Sequence, residues 1–509
     1  MLGSALDALV ILASPDRLAM MLLGIGVGLV VGILPGIGGT VGMALLIPFV
    51  YGMDIYSGVA LLIGMVAVNN TADTFTAVLM GVPGSGGAQA TMMDGYPMAK
   101  RGEAGRALGA SFISSMLGGL IGAVMLLVSI PIARPLVLSL GTPELFMLTL
   151  VGLTMVGVLS RGRPLIGILA GLVGLIVGAV GCAPGAPVYR YTFDVLYLSQ
   201  GIPLVVVALG LFAIPEIVTL LASGRRISAT TALIARQWDG AKDVWRNRWL
   251  VVRCSLLASF VGLVPGLGGG VVDWLAYGFG KATSKGGQES FGTGDVRGVI
   301  APEAANNCKD GAELVPTLMF GIPTGGSMAV FLGGLMLLGV QTGPAMVDPN
   351  RHLSLTLVIV WTLVLANVVG TALCFGLSRY MARLSLIQPA KFMPLLLIVV
   401  VIAAYQSSRH WGDIIALVVV GIIGCVMKQL SWPRVPFLIG FILAVPTERY
   451  LTVATARYGA AWLTRPLVLV IGTLIIGIVV WQVASEIKAY RQKRQLQKVE
   501  NGQPAPVHN

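Results

Sequence analysis

The sequence predicts an all-α polytopic membrane protein, with about ten to twelve transmembrane or half-membrane helices set in two inverted structural repeats with broken helices and re-entrant hairpins. Three observations predict it. The 509 residues are 56 % hydrophobic and only 11 % charged, and the mean hydropathy of +0.87 lies far outside the range of a soluble domain. Apolar runs recur at nearly the length needed to cross a bilayer. A set of glycine, proline and asparagine landmarks occurs twice, in the same order, in the two halves.

The runs are Leu18 to Leu34, Leu108 to Ile130, Leu145 to Leu159, Leu165 to Val180, Ile202 to Leu221, Leu353 to Leu377, Ile414 to Met427 and Leu467 to Val483. They are apolar on all sides, where the strands of a membrane barrel would alternate. The net charge of +12 is scattered between spans and in the C-terminal tail, which fits a positive-inside bias and gives no nucleic-acid surface. The five cysteines are far apart and lack metal spacing, so neither a disulfide framework nor a zinc site is expected. The N-terminus has no basic region before its short apolar stretch, and "SPDR" stands where a cleavage site would be. It reads as an uncleaved first segment.

A basic stretch at 223–250 divides the chain almost in half. Before it, "GILPGIGGTV" (32–41), Asn69-Asn70 with Asp73, and "GVPGSGG" (81–87) answer to "GLVPGLGGGV" (262–271), Asn306-Asn307 with Asp310, and "GIPTGGS" (321–327) after it. Ser160-Arg161 and "GLFAIPE" (210–216) have fainter counterparts in Ser408-Arg409 and "GFILAVPTE" (440–448). The expected organisation is a first repeat at 1–222, a basic cytoplasmic linker at 223–250, a second repeat at 251–448, an extra span within 449–485 and a basic cytoplasmic tail at 486–509. A cytoplasmic linker and a cytoplasmic tail, with one extra span between, require an odd number of crossings in the second repeat. Odd-numbered repeats are inverted.

Proline removes a backbone donor and glycine lets the chain leave helical geometry, which hydrocarbon tolerates only where protein or a water-filled cavity covers the bared groups. A fresh helix after such a break offers free N–H groups at the positive end of its dipole, suited to a carboxylate. Single glycines in membrane helices more often serve close packing. The pattern repeated in both halves favours a binding role. The candidate substrate-binding residues are therefore Pro35, Gly36, Gly38, Gly39 and Thr40 with Pro265, Gly266, Gly268 and Gly269 at the breaks; Pro83, Gly84 and Ser85 with Pro323, Thr324, Gly325 and Ser327 at the turns; and Asn69, Asn70, Thr71, Thr74, Asn306 and Asn307 beside them.

A buried acid costs roughly 2.5–3.5 kcal/mol to insert, which makes Asp73, Asp310 and Glu303 candidates for ion coupling. The opposing reading puts Asp73 and Asp310 in interfacial loops as helix caps. Lys309 leaves the two readings level at Asp310, whereas Asp73 reads as intramembrane.

Other signals fail. "GSGGAQ" (84–89) has no Gly-Lys-Ser/Thr after it, so no ATP-binding loop is present and no cofactor is expected beyond Na⁺ as a coupling ion. The glycine runs lack dinucleotide-binding spacing and strand context. "GTGD" (292–295) matches the GxGD of intramembrane aspartyl proteases without a paired acid, and His352, His410 and His508 are isolated. Neither an enzyme nor a metal site is indicated.

The combined motifs "GILPGIGGTVGMALLIPFVYGMD", "DGYPMAKRGEAGRALG" (94–109), "APEAANN" (301–307) and "GIPTGGSMAVFLGGLMLLGVQTGPAM" resemble the TctA family, the large membrane subunit of tripartite tricarboxylate transporters, over about residues 17 to 450. The resemblance implies a multi-pass inner-membrane importer of organic di- and tricarboxylates, driven by a Na⁺ or H⁺ gradient. It also implies a small TctB-like membrane subunit and a periplasmic TctC-like solute-binding protein as partners, and a homo-oligomer is compatible with it. Three departures fall beside the proposed site: "NNTADTFTAVLMG" where many relatives have a glycine- and serine-rich stretch, Cys308-Lys309 after Asn307 where they usually read "NNA", and "GIPTGG" in place of "GIPGS". A passive anion channel and an intramembrane hydrolase are the competing function classes.

Overall fold

The computed structural model describes residues 2–34, 38–155, 164–186, 188–223, 236–265, 269–385 and 393–500. Nearly all of it is helix. The first half holds α1 (Leu2–Leu12), α2 (Pro15–Ile33), α3 (Gly38–Val50), α4 (Ile55–Ala72), α5 (Thr74–Met80), α6 (Ala88–Lys100), α7 (Ala104–Ser139), α8 (Thr142–Met155) and α9 (Pro164–Gly178). A two-stranded hairpin, β1 (Gly181–Cys182) with β2 (Tyr189–Arg190), precedes α10 (Leu196–Ser199), α11 (Leu204–Ala208), a π-helical turn (Leu209–Ala213) and α12 (Ile214–Ser223). The second half holds α13 (Gln237–Arg246), α14 (Arg248–Gly262), α15 (Gly269–Thr283), α16 (Gly287–Ser290), α17 (Arg297–Phe320), α18 (Gly326–Leu337), α19 (Leu353–Ser385), α20 (Met393–Ser408), α21 (Trp411–Gln429), α22 (Arg434–Tyr458) and α23 (Pro466–Glu500).

Seven helical stretches among the described residues are long and apolar enough to cross a membrane, and seven shorter apolar helices accompany them. The polytopic helical fold is the one expected. The expected breaks are present too: α2 ends at Ile33 and α3 begins at Gly38, and α14 ends at Gly262 and α15 begins at Gly269. Pro35, Gly36, Gly266 and Gly268, together with Ser160-Arg161, lie outside the described residues.

The chain divides into two compact units, one of residues 1–140 and 202–426, the other of residues 141–201 and 427–509. In the first, helix pairs recur in crossed fashion. α17 packs on α7 as α4 packs on α19, and α18 packs on α3 as α15 packs on α6.

Backbone-to-backbone approach is made by glycine. On α2, a β-carbon at Gly24, Gly28 or Gly32 would stand 2.1, 2.5 or 2.6 Å from the carbonyl oxygens of Leu61, Met65 and Asn69 of α4. Gly118 and Gly122 of α7 would likewise meet the carbonyls of Ala304 and Cys308 of α17, at 2.1 and 2.4 Å. Gly32 opens the first broken motif yet serves packing, the role expected of single glycines. Asp54 starts α4 as an N-cap, accepting from the amides of Tyr56 and Ser57 at 3.0 and 3.2 Å.

In the second unit, Gly174 and Gly178 of α9 and Gly440 of α22 allow the same close approach, since a β-carbon at any of them would stand 1.9–2.5 Å from an opposing carbonyl oxygen. Buried Glu144 is neutralised by Arg465 at 2.7 Å, and Arg190 of the hairpin reaches Glu448 of α22 at 2.6 Å.

Candidate functional site

The centre of the first unit is a crossing of α4–α5 with α17. α17 is strongly polar in sequence yet buried almost from end to end, because α4, α6, α7, α14, α15 and α18 surround it. Thr74 lies against Glu303 and Asn70 against Asp310, so the two segments cross antiparallel. Asn307 donates to the Ala67 carbonyl at 3.2 Å and the Thr71 hydroxyl at 2.8 Å, Asn70 donates to both oxygens of Asp310 at 3.0 and 2.9 Å, and Thr74 donates to Glu303 at 2.9 Å. α7 and α19 also cross antiparallel, with Thr371 against the Phe112 carbonyl and Asn367 beside Gly119.

Four helix N-termini meet around this crossing, in two pairs. In one, Thr40 on the first turn of α3 lies 3.4 Å from Ser327 on the first turn of α18, hydroxyl to hydroxyl. A β-carbon on Gly39 would stand 3.0 Å from Asn69 Nδ2 and 3.2 Å from Ser327 Oγ. In the other pair, Gly87 precedes α6, and a β-carbon there would stand 2.6 Å from Asn306 Oδ1 and 2.8 Å from Asp273 Oδ2 on α15. The turn before α6 also holds Asp73: Ser85 donates to Asp73 Oδ2, and the Gly87 amide donates to Ser85 at 3.1 Å.

These contacts sort the expected residues. Asn70, Thr74 and Asn307 spend their donors on helix–helix bonds, Thr71 accepting one of them, and Asn307 also reaches Asn367 at 2.9 Å. Asn69, Asn306, Thr40, Ser327, Gly39 and Gly87 face the paired N-termini. Thr324 is buried in the turn before α18, where Pro323 and Gly325 flank it; Pro83 and Gly84 stand in the matching turn before α6. Gly81 and Gly321 close α5 and α17 in the left-handed region, with φ of 64° and 68°, which glycine adopts without strain. Gly38 and Gly269 begin α3 and α15, and Pro265 is the last described residue before the second break.

Asp310 is a buried residue in the interior of α17, which overturns the loop-cap alternative for it; an α-helix held on all sides has room for the acid because Asn70 and Lys309 face it. Asp73 is buried at the joint between α4 and α5. Glu303 accepts from Thr74, Thr91 and Ser115, at 2.9, 2.6 and 2.7 Å. Three hydroxyls satisfy it, which makes it a tie between α5, α6, α7 and α17.

Two acids were not singled out from the sequence. Asp273 is fully buried and neither carboxylate oxygen has a hydrogen-bond partner; it is the sole acid between Asp243 and Glu289, which was a usable signal. Asp94 of "DGYPMAK" is buried and accepts from Tyr277 at 2.8 Å and from the amides of Gly292, Gly294 and Asp295 at 2.7–3.0 Å. The "GTGD" loop thus cradles a carboxylate of the chain itself. Its own Asp295 pairs with Arg297 at 2.6 Å. Burial alone would raise the Asp295 carboxyl, and the bonds from Arg297 and Ser290 instead hold it below the usual range. Among the described residues no group of three or more His, Cys, Asp or Glu side chains is set to hold a metal ion.

A helical membrane protein with paired interrupted helices around a buried polar crossing belongs to the class of membrane transport proteins. The family described as the tripartite tricarboxylate transporter TctA family matches residues 18–439. The chain belongs to that family. It is 28 % identical over 438 residues to an uncharacterized 52.8 kDa protein of the TAR-I ttuC' 3' region of Agrobacterium vitis, covering 86 % of this chain and 87 % of the relative. A second Agrobacterium vitis protein, of the TAR-II ttuC' 3' region, is 29 % identical over 193 residues, 38 % of this chain and 78 % of the relative. No solved structure matches the chain.

Proposed function

We propose that the chain is the large translocation subunit of a binding-protein-dependent secondary transporter that imports organic di- or tricarboxylates across the bacterial inner membrane, coupled to a Na⁺ or H⁺ gradient. Its partners on this reading are a small TctB-like membrane subunit and a periplasmic TctC-like binding protein. The observation that carries it is the meeting of four helix N-termini, those of α3, α6, α15 and α18, around the α4–α17 crossing. Backbone N–H groups and dipole ends suit an anion without a fixed positive charge in the membrane. The hydroxyls of Thr40 and Ser327 and the amide of Asn69 supply further donors.

The repeats are taken as 1–222 and 251–448, and the antiparallel crossing of equivalent helices supports their inversion. Helix α13 is tied to the start of α7 by Arg106 and Asp243 at 2.6 Å, which supports a common face for α13 and residues 100–106. Trp245 and Trp249, about 70 % exposed, stand there as an interfacial belt would. Transport then proceeds by alternating exposure of the central crossing to the two sides.

The test is uptake of labelled di- and tricarboxylates into vesicles holding the chain and its small partner, with a binding protein outside and imposed gradients. Saturable accumulation above equilibrium is the expected result. Non-saturating flux that stops at equilibrium would mean a passive channel, which could use the same helix ends.

A further inference from the structure

Lys309 is 5 % exposed in the interior of α17, beside the acid-lined pair of N-termini. Its ammonium donates to the Asn306 carbonyl at 2.7 Å and to Asn306 Oδ1, and lies 3.7 Å from Asp310. That same Asn306 oxygen borders the position over Gly87 against which Asp273 Oδ2 also sits. The charges acting on Lys309 are the carboxylates of Asp310, Asp273, Glu313 and Asp73. One tethered cation therefore serves four acids drawn from three elements.

The acids differ in what holds them. Asp310 has the Asn70 amide on both oxygens, and Glu303, further along α17, has its three hydroxyls. Asp73 has Ser85 on one oxygen and nothing on the other, and Asp273 has no partner on either. Among the described residues no second basic group enters from the neighbours. α15 contributes Asp273 and α4–α5 contributes Asp73; α14 faces α17 here with Ser255 and Ser259, bonded around Cys308, and α7 with Ser111, Ser114 and Ser115.

Burying carboxylates without partners is tolerable when each is neutralised by a cation or by a proton. The Asn306 oxygens are already taken by the ammonium, and an added metal ion would face that like charge at close range. We infer that Lys309 fills the place of a bound metal cation in this half of the site, so that the ion moved with the substrate is a proton, carried on Asp273 with Asp73 beside it. The proton is taken from water on the outer side and released to water on the inner side, with Lys309 remaining charged throughout. This inference rests on the transporter reading for its meaning, but its geometry is tested separately.

The full chain in lipid nanodiscs is titrated with radiosodium. The wild type is expected to show no saturable binding, Lys309→Ala to gain it, and Lys309→Arg, which keeps the charge, to stay without it. Saturable sodium binding by the wild type overturns the inference, and so does its absence in a Lys309→Ala protein that remains monodisperse. In proteoliposomes with its partners, accumulation of labelled citrate or malate is expected under an inward proton gradient in sodium-free medium, with no increase from a sodium gradient. Accumulation that requires sodium overturns the inference. Failure of both gradients would count against the transporter reading, while the sodium titration still decides the place of Lys309.

Discussion

The two pairs of helix N-termini are built on one backbone plan and carry opposite chemistry. Where α3 and α18 meet, the side chains are Thr40 and Ser327, with Met43 one turn further along α3. At the matching positions, where α15 and α6 meet, stand Gly270, Gly87 and Asp273. On the reading of two repeats, duplication supplied two places for a bare helix end, with hydroxyl donors at one and the unpartnered Asp273 carboxylate at the other. Donors suit an anion and carboxylates suit a cation or proton. The lesson is that a symmetric frame does not imply two equivalent sites: the backbone sets where a ligand fits, and a handful of side chains set its charge.

Removing the acid from one side should break this comparison most severely. Asp273→Asn keeps shape and removes the titratable oxygen, so gradient-driven accumulation is expected to fall by about a hundredfold, equivalent to about 2.7 kcal/mol of lost coupling. The ratio of inside to outside substrate in energised vesicles measures it. Accumulation within about twofold of wild type would remove Asp273 from the coupling path and with it the division of roles.

A smaller effect should separate the two sides by space. In Gly87→Ala the new methyl would meet Asn306 Oδ1 at 2.6 Å and Asp273 Oδ2 at 2.8 Å, the first of them an oxygen already held by the Lys309 ammonium. Overpacking of this kind costs about 1–3 kcal/mol. Gly39→Ala meets its nearest neighbours at 3.0 and 3.2 Å, the ends of the Asn69 and Ser327 side chains. The expected outcome is a fall in proton-driven accumulation of about tenfold for Gly87→Ala, a factor worth about 1.4 kcal/mol, and a clearly smaller fall for Gly39→Ala. Equal effects would mean that the two sides are used alike.

Much of this was legible in the sequence because hydrocarbon makes backbone breaks conspicuous. Proline and glycine at 32–41 and 262–271 gave the interruptions, the recurrence of Asn-Asn gave the crossing helices, and the resemblance to the TctA family is borne out by the match over residues 18–439. Side-chain roles were less legible. Asn69 and Asn70 are neighbours and read alike, yet one faces the break and the other clamps Asp310, a difference set by helical phase against a partner over 230 residues away. In the sequence Lys309 leaves the loop and intramembrane readings of Asp310 level, and only the ring of helices around α17 shows why both charges are tolerated inside. Asp273 escaped notice because its counterpart in the first repeat is Met43, so the repeat pattern did not draw attention to it.

The smallest expected effect lies on the hydroxyl side, where the comparison can be sharpened. Ser327→Ala removes one donor at the N-terminus of α18 and leaves the backbone N–H groups in place, and Thr40→Val does the same for α3 while keeping its shape. A neutral hydrogen bond contributes about 0.5–1.5 kcal/mol net, so each variant should raise KM for the carboxylate by about two- to tenfold. The proton dependence of uptake should stay as in wild type, since the carboxylates of the other side are untouched. Measuring initial rates across substrate concentration at two fixed proton gradients separates the two quantities. A change in proton dependence without a change in KM would reverse the assignment, placing the anion against α6 and α15 and the coupling ion against α3 and α18.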